Sequence, residues 1–326
     1  MEEKVMPLAP EFSDEPQIPQ APSPTKKSGM ASMRKKEDIQ GTLMAALPFV
    51  GFLVFSLYPM LLSLFISFHD LKSFDIGMRE WVGLKNYEFV FNNKWIKVSV
   101  QNTLEYCLSV PINIIVSLFL ANICSKPLRG TSFVAVVAYL PSICSTVGVT
   151  LMWQWIFEPN YGVINTLLGK IGLGPFNFMG DPDLFMPSIL TIGVWMKATN
   201  ILQLQGAMAN VDQSLKEAAK IDGANGFQIF WKVVLPGISP TLFYVTINML
   251  LIALQEMAIM QLITNSGTGP NFKAMTITYY IYRMGIQNNA IEGFGRASAL
   301  SWVFAIAVMI LSKILFKISD KLVTYD

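Results

Sequence analysis

Six stretches of this sequence are apolar and long enough to cross a lipid bilayer, and that excludes most folds at once. They cover about 43–68, 98–123, 132–157, 185–206, 240–264 and 297–317. A helix rising about 1.5 Å per residue needs roughly 20 residues to traverse the hydrocarbon layer. No water reaches the backbone there, so each peptide group must find its partner within a helix. Charge is correspondingly scarce: 14% of the 326 residues are Asp, Glu, Lys or Arg, against about 25% in an ordinary soluble domain. The expected fold class is an all-α polytopic membrane protein with six transmembrane helices. Pro48, Pro59, Pro111 and Pro141 fall inside the first three spans and predict kinks in a packed bundle.

The basic residues orient the bundle. Residues 1–40 are proline-rich and polar, with the clusters Lys26-Lys27 and Arg34-Lys35-Lys36, and they read as a disordered cytoplasmic tail. Counting from that side, fourteen of the 24 Lys and Arg residues are inside and nine outside, with Lys197 left within a span. Both termini are therefore expected in the cytoplasm, with the transmembrane domain over 41–326 in the cytoplasmic (inner) membrane. Trp81, Tyr87 and Trp95 precede span two, and Trp153, Trp155 and Tyr161 flank span three, as interfacial anchors do.

Several kinds of function are excluded or disfavoured. A net charge of +2 gives no footprint for nucleic acid. Cys107, Cys124 and Cys144 lie in or beside apolar segments without ligand spacing, and the single histidine, His69, has no partner motif, so a metal or redox site is not expected. The phosphate-binding pattern Gly-x-x-x-x-Gly-Lys-Ser/Thr does not occur. An intramembrane enzyme would need a clustered acid, histidine or metal-ligand set that the sequence lacks.

The polar insertion at 207–239 is the most informative segment, and on this topology it faces the cytoplasm. Asp212 or Ser214 can start a helix, with Glu217 three residues after Ser214 as in a capping box. Asp222-Gly223 offers a turn through positive φ. Phe227, Phe230, Trp231 and Val234 then recur at helical spacing, Pro236 is expected to end that helix, and Pro240 to open span five. A helix–turn–helix on the inner face is a surface for a cytoplasmic partner to grip.

The run Glu217-Ala218-Ala219, Asp222-Gly223-Ala224, Phe230, Leu235-Pro236 and Pro240 resembles the "EAA" loop of ATP-binding-cassette (ABC) importer permeases. Val82-Gly83-Leu84-Lys85-Asn86-Tyr87, Pro127-Leu128-Arg129-Gly130, Tyr139-Leu140-Pro141, Thr264-Asn265-Ser266-Gly267 and the run from Trp153 to Gly162 extend the likeness to the carbohydrate branch, the maltose-type and the lactose- and multiple-sugar-type permeases. The likeness runs from about residue 40 to the C-terminus. One departure stands out: the family's Thr-x-Gly-Gly-Pro after span five is here the longer Thr264-Asn265-Ser266-Gly267-Thr268-Gly269-Pro270.

The resemblance implies a type I importer permease fold and a division of labour. A second, homologous permease would complete the pore, and two ATPase subunits would bind ATP and magnesium, leaving no cofactor in this chain. An extracytoplasmic solute-binding protein would deliver a sugar. Glu217 would make the charged contact with an ATPase, Ala218 and Ala219 would permit close approach, and Gly223 would make the turn.

Polar groups at membrane depth suggest where solute passes. Lys197 in span four and Glu256 in span five fall near the bilayer centre, where a charge faces protein or water rather than lipid. Asn200, Gln203 and Gln255 can both donate to and accept from hydroxyl groups, and Trp195 and Tyr244 can stack on a sugar ring. These seven residues form the candidate pathway lining. Two other readings of the charges stay open: Lys197 and Glu256 pair to hold two helices together, or Lys197 snorkels outward. The competing function is a secondary carrier, in which inverted repeats and broken helices would be more usual and no cytoplasmic lever would be needed.

Overall fold

The structure is a computed structural model. It describes residues 40–71 (Leu43 excepted), 80–125, 129–196, 199–287 and 293–322, with the side chains of 132, 199 and 320–322 excepted. The expected tail and Lys197 lie outside the described residues. The chain divides at Met60–Leu61, inside the first helix.

That helix, α1 (Gln40–Ser67), is the first candidate span and contains a π-turn at Leu53–Leu57. A short hairpin follows, β1 (His69–Asp70) paired antiparallel with β2 (Glu80–Trp81). The remaining helices are α2 (Lys85–Asn92), α3 (Lys94–Cys124), α4 (Thr131–Ile143), α5 (Thr146–Ile156), α6 (Val163–Gly169), α7 (Pro182–Met196) and α8 (Thr199–Asn210). After them come α9 (Gln213–Ile221), α10 (Gly226–Gly237), α11 (Ser239–Leu254), α12 (Ala258–Ile263), α13 (Ile277–Tyr282) and α14 (Gly293–Leu322).

Apolar side chains both fill the core and cover the outside, and on one helix buried polar residues share the inner face. On α3, Ser99, Asn102, Thr103, Tyr106, Asn113 and Ser117 fall on one helical face and are all buried, while Leu104, Leu108, Ile115 and Phe119 are exposed. The inward hydroxyls mostly bond back along their own helix: Thr103 Oγ1 donates to the Ser99 carbonyl at 2.7 Å and Ser99 Oγ to that of Trp95 at 3.0 Å. The amides reach other elements. Asn102 Nδ2 donates to the carbonyls of Phe272 and Met275, at 2.8 and 3.1 Å. Asn113 Nδ2 donates to the Val194 carbonyl at 2.9 Å. Buried polar groups are costly in hydrocarbon unless paired, so each bond of this kind fixes which helix face turns inward.

Three helices of the described part are long and apolar enough to cross a membrane: α1, α3 and residues Gly293–Ser319 of α14. Two of the expected spans are not continuous helices. Span three bends by 104° between α4 and α5, where Cys144 and Ser145 adopt extended backbone just after Pro141. Span five stops at Leu254 and resumes at Ala258, where the sequence places the polar pair Gln255-Glu256. Span four appears as α7 and α8, separated by undescribed residues 197–198. Helices α10 and α11 meet at 73°, counted as one bent pair.

The segment after α12 is bound closely to α3. Phe272 stacks on Trp95 with ring centres 4.2 Å apart, and Ile277 N–H donates to Thr103 Oγ1 at 2.9 Å. Lys273 donates to both carboxylate oxygens of Glu105, at 3.0 and 2.9 Å, giving that glutamate a partner the sequence did not suggest. The lengthened run at 264–270 leads into this segment, and Asn265, Ser266, Asn271 and Phe272 have positive φ. Arg283 donates to the Ser266 carbonyl at 3.1 Å and Tyr279 to that of Gly267 at 2.9 Å, holding the unusual backbone in place.

Candidate coupling hairpin and translocation face

The polar insertion folds into a helical hairpin whose turn is held by backbone hydrogen bonds and caps. Asp212 caps α9, its Oδ1 accepting from Ser214 N–H at 2.8 Å. Bonds from the backbone and hydroxyl of Ser214 hold the Asp212 carboxyl below the ordinary range. The capping box suggested for Ser214 and Glu217 does not form, because Asp212 already occupies the cap. Glu217 instead lies a turn into the helix and accepts from Gln213 Nε2 at 3.3 Å. Lys216 reaches back to the Met208 carbonyl at 3.1 Å and so satisfies the last turn of α8.

At the other end of α9, Gly223 has φ +82°. Gly223 N–H donates to the Lys220 carbonyl at 3.1 Å and Ala224 N–H to that of Ala219 at 2.9 Å, the paired bonds of a Schellman motif. A capping box does exist one helix later: Asn225 Oδ1 accepts from Gln228 N–H at 2.9 Å while Gln228 Oε1 accepts from Asn225 N–H at 2.8 Å. Pro236 does not end α10, which continues to Gly237. A π-turn at Phe230–Val234 precedes the proline, and the wider turn relieves the clash a ring makes with an ordinary helix.

Helix α10 has two apolar faces. Ile229 and Val234 pack inward with Phe230 partly buried beside them. Phe227 and Trp231 point outward, their rings 5.9 Å apart. Ile221 at the end of α9 is 87% exposed and Phe227 73%, so these side chains are not part of this chain's own core. The expected stripe of Phe227, Phe230, Trp231 and Val234 is therefore divided between two faces. Ala219, Asp222, Gly223, Ala224, Gln228 and Lys232 line a recess of about 410 Å³ at the elbow. Glu217, Ala218 and Pro236 are exposed around it.

The expected pathway residues separate into three groups. Tyr244 on α11 and Gln255 at its C-cap are exposed, together with Asn248, which was not among the seven, while Val245 and Met249 are buried. Helix α8 packs on α11 and exposes Gln203 while burying Ile201, Leu204 and Met208. Trp195 stands elsewhere, edge-on to Trp153 with ring centres 5.8 Å apart. It borders an apolar groove of about 740 Å³ between α3, α4 and α7.

Two residues of the expected lining are engaged inside the protein. Asn200 donates to Asn113 Oδ1 at 3.2 Å, and Ser117 donates to the same oxygen at 3.0 Å. Glu256 is 9% exposed, and its Oε1 accepts from Ile259 N–H at 3.0 Å. Asn113, Tyr106 and Thr276 were not singled out from the sequence, although an asparagine in an apolar span is a visible sign of an internal amide bond.

Long apolar helices with buried amide bonds between them and an exposed hairpin between two of them fit a membrane permease component. Residues 88–324 match the family described as "Binding-protein-dependent transport system inner membrane component", and the chain belongs to that family. It is 31% identical over 310 residues to the "Probable ABC transporter permease protein YesP" of Bacillus subtilis (strain 168), covering 92% of this chain and 98% of that protein. It is 29% identical over 307 residues to the "Arabinooligosaccharides transport system permease protein AraP" of the same organism, covering 91% and 94%. Among solved structures it resembles a chain of a bacterial ABC transporter "involved in the import of the acidic polysaccharide alginate", with a TM-score of 0.74, 23% identity, and coverage of 90% and 100%.

Proposed function

We propose that this chain is one of two permease subunits of an ATP-driven, binding-protein-dependent importer of a sugar or oligosaccharide. It forms half of a pathway across the inner membrane with six spans, both termini in the cytoplasm, and residues 1–40 as a cytoplasmic tail. Energy comes from two ATPase subunits that hold ATP and magnesium. The EAA hairpin, with Glu217, Ala218, Ala219, Asp222, Gly223 and Ala224 at its elbow and Phe230 and Pro236 behind it, is where one ATPase docks.

The observation that carries this reading is the hairpin itself. A turn secured by a Schellman motif and two separate caps presents Ile221, Phe227 and Trp231 to the outside, in a chain that has no nucleotide-binding loop. Exposed aromatic anchors around a shaped recess suit a protein partner better than lipid or water. The choice of a carbohydrate rests on the named relatives and on the exposed polar face of Tyr244, Asn248, Gln255 and Gln203, whose amide and phenol groups suit hydroxylated solutes.

The test is reconstitution into liposomes with the second permease, the ATPase and the solute-binding protein. Sugar uptake that requires both ATP and the binding protein, and that Glu217→Lys abolishes while the subunit still inserts, is the expected result. Uptake by this chain alone under an ion gradient would establish a secondary carrier and overturn the proposal.

A further inference from the structure

The interruption of span five is built rather than incidental. The last four carbonyls of α11 each accept a hydrogen bond. Gln255 Nε2 donates to Leu251 at 2.9 Å, Gln255 N–H to Ile252 at 3.1 Å, Glu256 N–H to Ala253 at 3.2 Å and Thr278 Oγ1 to Leu254 at 3.4 Å. Thr276 Oγ1 donates to the Glu256 carbonyl at 2.6 Å. Across the gap, the Glu256 carboxylate takes one of the free N–H groups in the first turn of α12.

Two groups reach the Glu256 side chain, Ile259 N–H and the Tyr106 hydroxyl, while Thr276 holds its backbone carbonyl. Tyr106 of α3 donates its hydroxyl to Glu256 Oε2 at a long 3.5 Å. Gly193 of α7 leaves room for that ring, since a Cβ there would lie 2.7 Å from the Tyr106 oxygen. Thr276 caps α13 as well, accepting from Tyr279 N–H at 3.3 Å. The result is a buried Glu256 next to an exposed Gln255, so the break turns adjacent residues in opposite directions. Irregular backbone at membrane depth persists only where its polar groups are satisfied by protein or face an aqueous cavity, and here protein groups satisfy them.

The geometry points to Glu256 as a positioning residue: its carboxylate holds span five interrupted at 255–257 and so sets the direction in which Gln255 and the Tyr244–Asn248 face present their polar groups to the pathway. It acts through the backbone and does not touch the solute. Where solute enters the argument, the inference rests on the importer reading; the interruption itself does not.

The experiment uses the assembled transporter with Cys107, Cys124 and Cys144 replaced by Ser and Gln255→Cys introduced. A polar maleimide is expected to label position 255 readily. Adding Glu256→Leu removes the acceptor and should slow labelling about tenfold, the factor set by one buried hydrogen bond. Glu256→Gln keeps an acceptor for Ile259 N–H and should restore the rate. In uptake without the cysteine changes, Glu256→Leu should raise KM with the maximal rate per assembled complex unchanged, and Glu256→Gln should return KM to the parent value.

A labelling rate indifferent to Glu256→Leu, or Glu256→Gln as defective as Leu in either assay, overturns the proposal; the second outcome would assign the carboxylate a direct charged contact. Should Glu256→Leu not assemble, Thr276→Val removes the support of the Glu256 carbonyl, and the same labelling criterion applies. Labelling needs no solute, so the expected pattern together with no ATP-driven uptake by the unsubstituted parent complex would overturn the importer reading and leave the role of Glu256 standing.

Discussion

Substituting Gly223 separates backbone geometry from side-chain bulk at the hairpin turn. Its φ of +82° lies in the left-handed region, and a Cβ built there meets nothing within 4 Å. The cost of a side chain in this chain is therefore conformational: about 1–2 kcal/mol for an ordinary L-residue, and less for asparagine, which tolerates this region. One to two kcal/mol reduces the population of the closed turn by a factor of about 5–30. If the ATPase docks on the hairpin, its retention during purification and the ATP-driven uptake per assembled complex should fall in the order Gly, Asn, Ala, Val. Asparagine is larger than alanine, so a partner surface too tight for any side chain would give the reverse order for those two. Asparagine weaker than alanine, or valine equal to glycine, would refute the conformational argument.

Three further outcomes follow from the same geometry. Because the Asp212 carboxyl is held below its ordinary range, its contribution to α9 is complete above the normal carboxylate pKa near about 3.9 and is lost as pH falls through the depressed value; limited proteolysis of the hairpin should rise over that acid interval, and Asp212→Asn, which keeps an acceptor, should flatten the rise. Asn113→Leu leaves the Val194 carbonyl and the Asn200 amide without their partner, a loss of about 1–3 kcal/mol read as a lowered thermal midpoint in detergent; an unchanged midpoint would deny the amide its structural role. The Lys273–Glu105 pair, 29% and 41% exposed, should show a coupling of about 1 kcal/mol or less in a double-mutant cycle, since water screens it.

Hydropathy alone located the three spans that are continuous apolar helices, because a window of about 20 apolar residues has few alternatives. The hairpin was also legible: Asp212 and Gly223 carry local preferences that no tertiary contact had to supply. The breaks were less so. Cys144-Ser145 reads as apolar continuation, and only Pro141 just before it signals that the chain turns there by 104°. The capping box was misplaced because Ser214-x-x-Glu217 and Asn225-x-x-Gln228 fit the same pattern, and the cap fell to Asp212, two residues before Ser214. Glu256 was found but its partners were not. Thr276 and Tyr106 are 20 and 150 residues away in sequence, and no local periodicity links them to it.

The proposed mechanism needs a path from the docking surface to the polar face, and the hairpin provides one at both ends. Helix α9 is tied back to α8 by the Lys216–Met208 bond, and the end of α10 lies so close to the α8–α9 link that a Cβ on Gly237 would come within 3.2 Å of Val211. In the proposed mechanism a push on Phe227 or Trp231 would be shared between α8, which carries Gln203, and α11, which carries Tyr244 and Asn248 and ends at Gln255. Conformational change of this kind uses discrete elements that shift together rather than a uniformly yielding core. A continuous span five would carry that push past Gln255 and straight into α12. An interruption at 255–257, stopped by the Glu256 carboxylate, lets α11 turn its polar face while α12 stays fastened to α5 through Gln154, which donates to the Leu262 and Ile263 carbonyls at 3.1 and 3.0 Å.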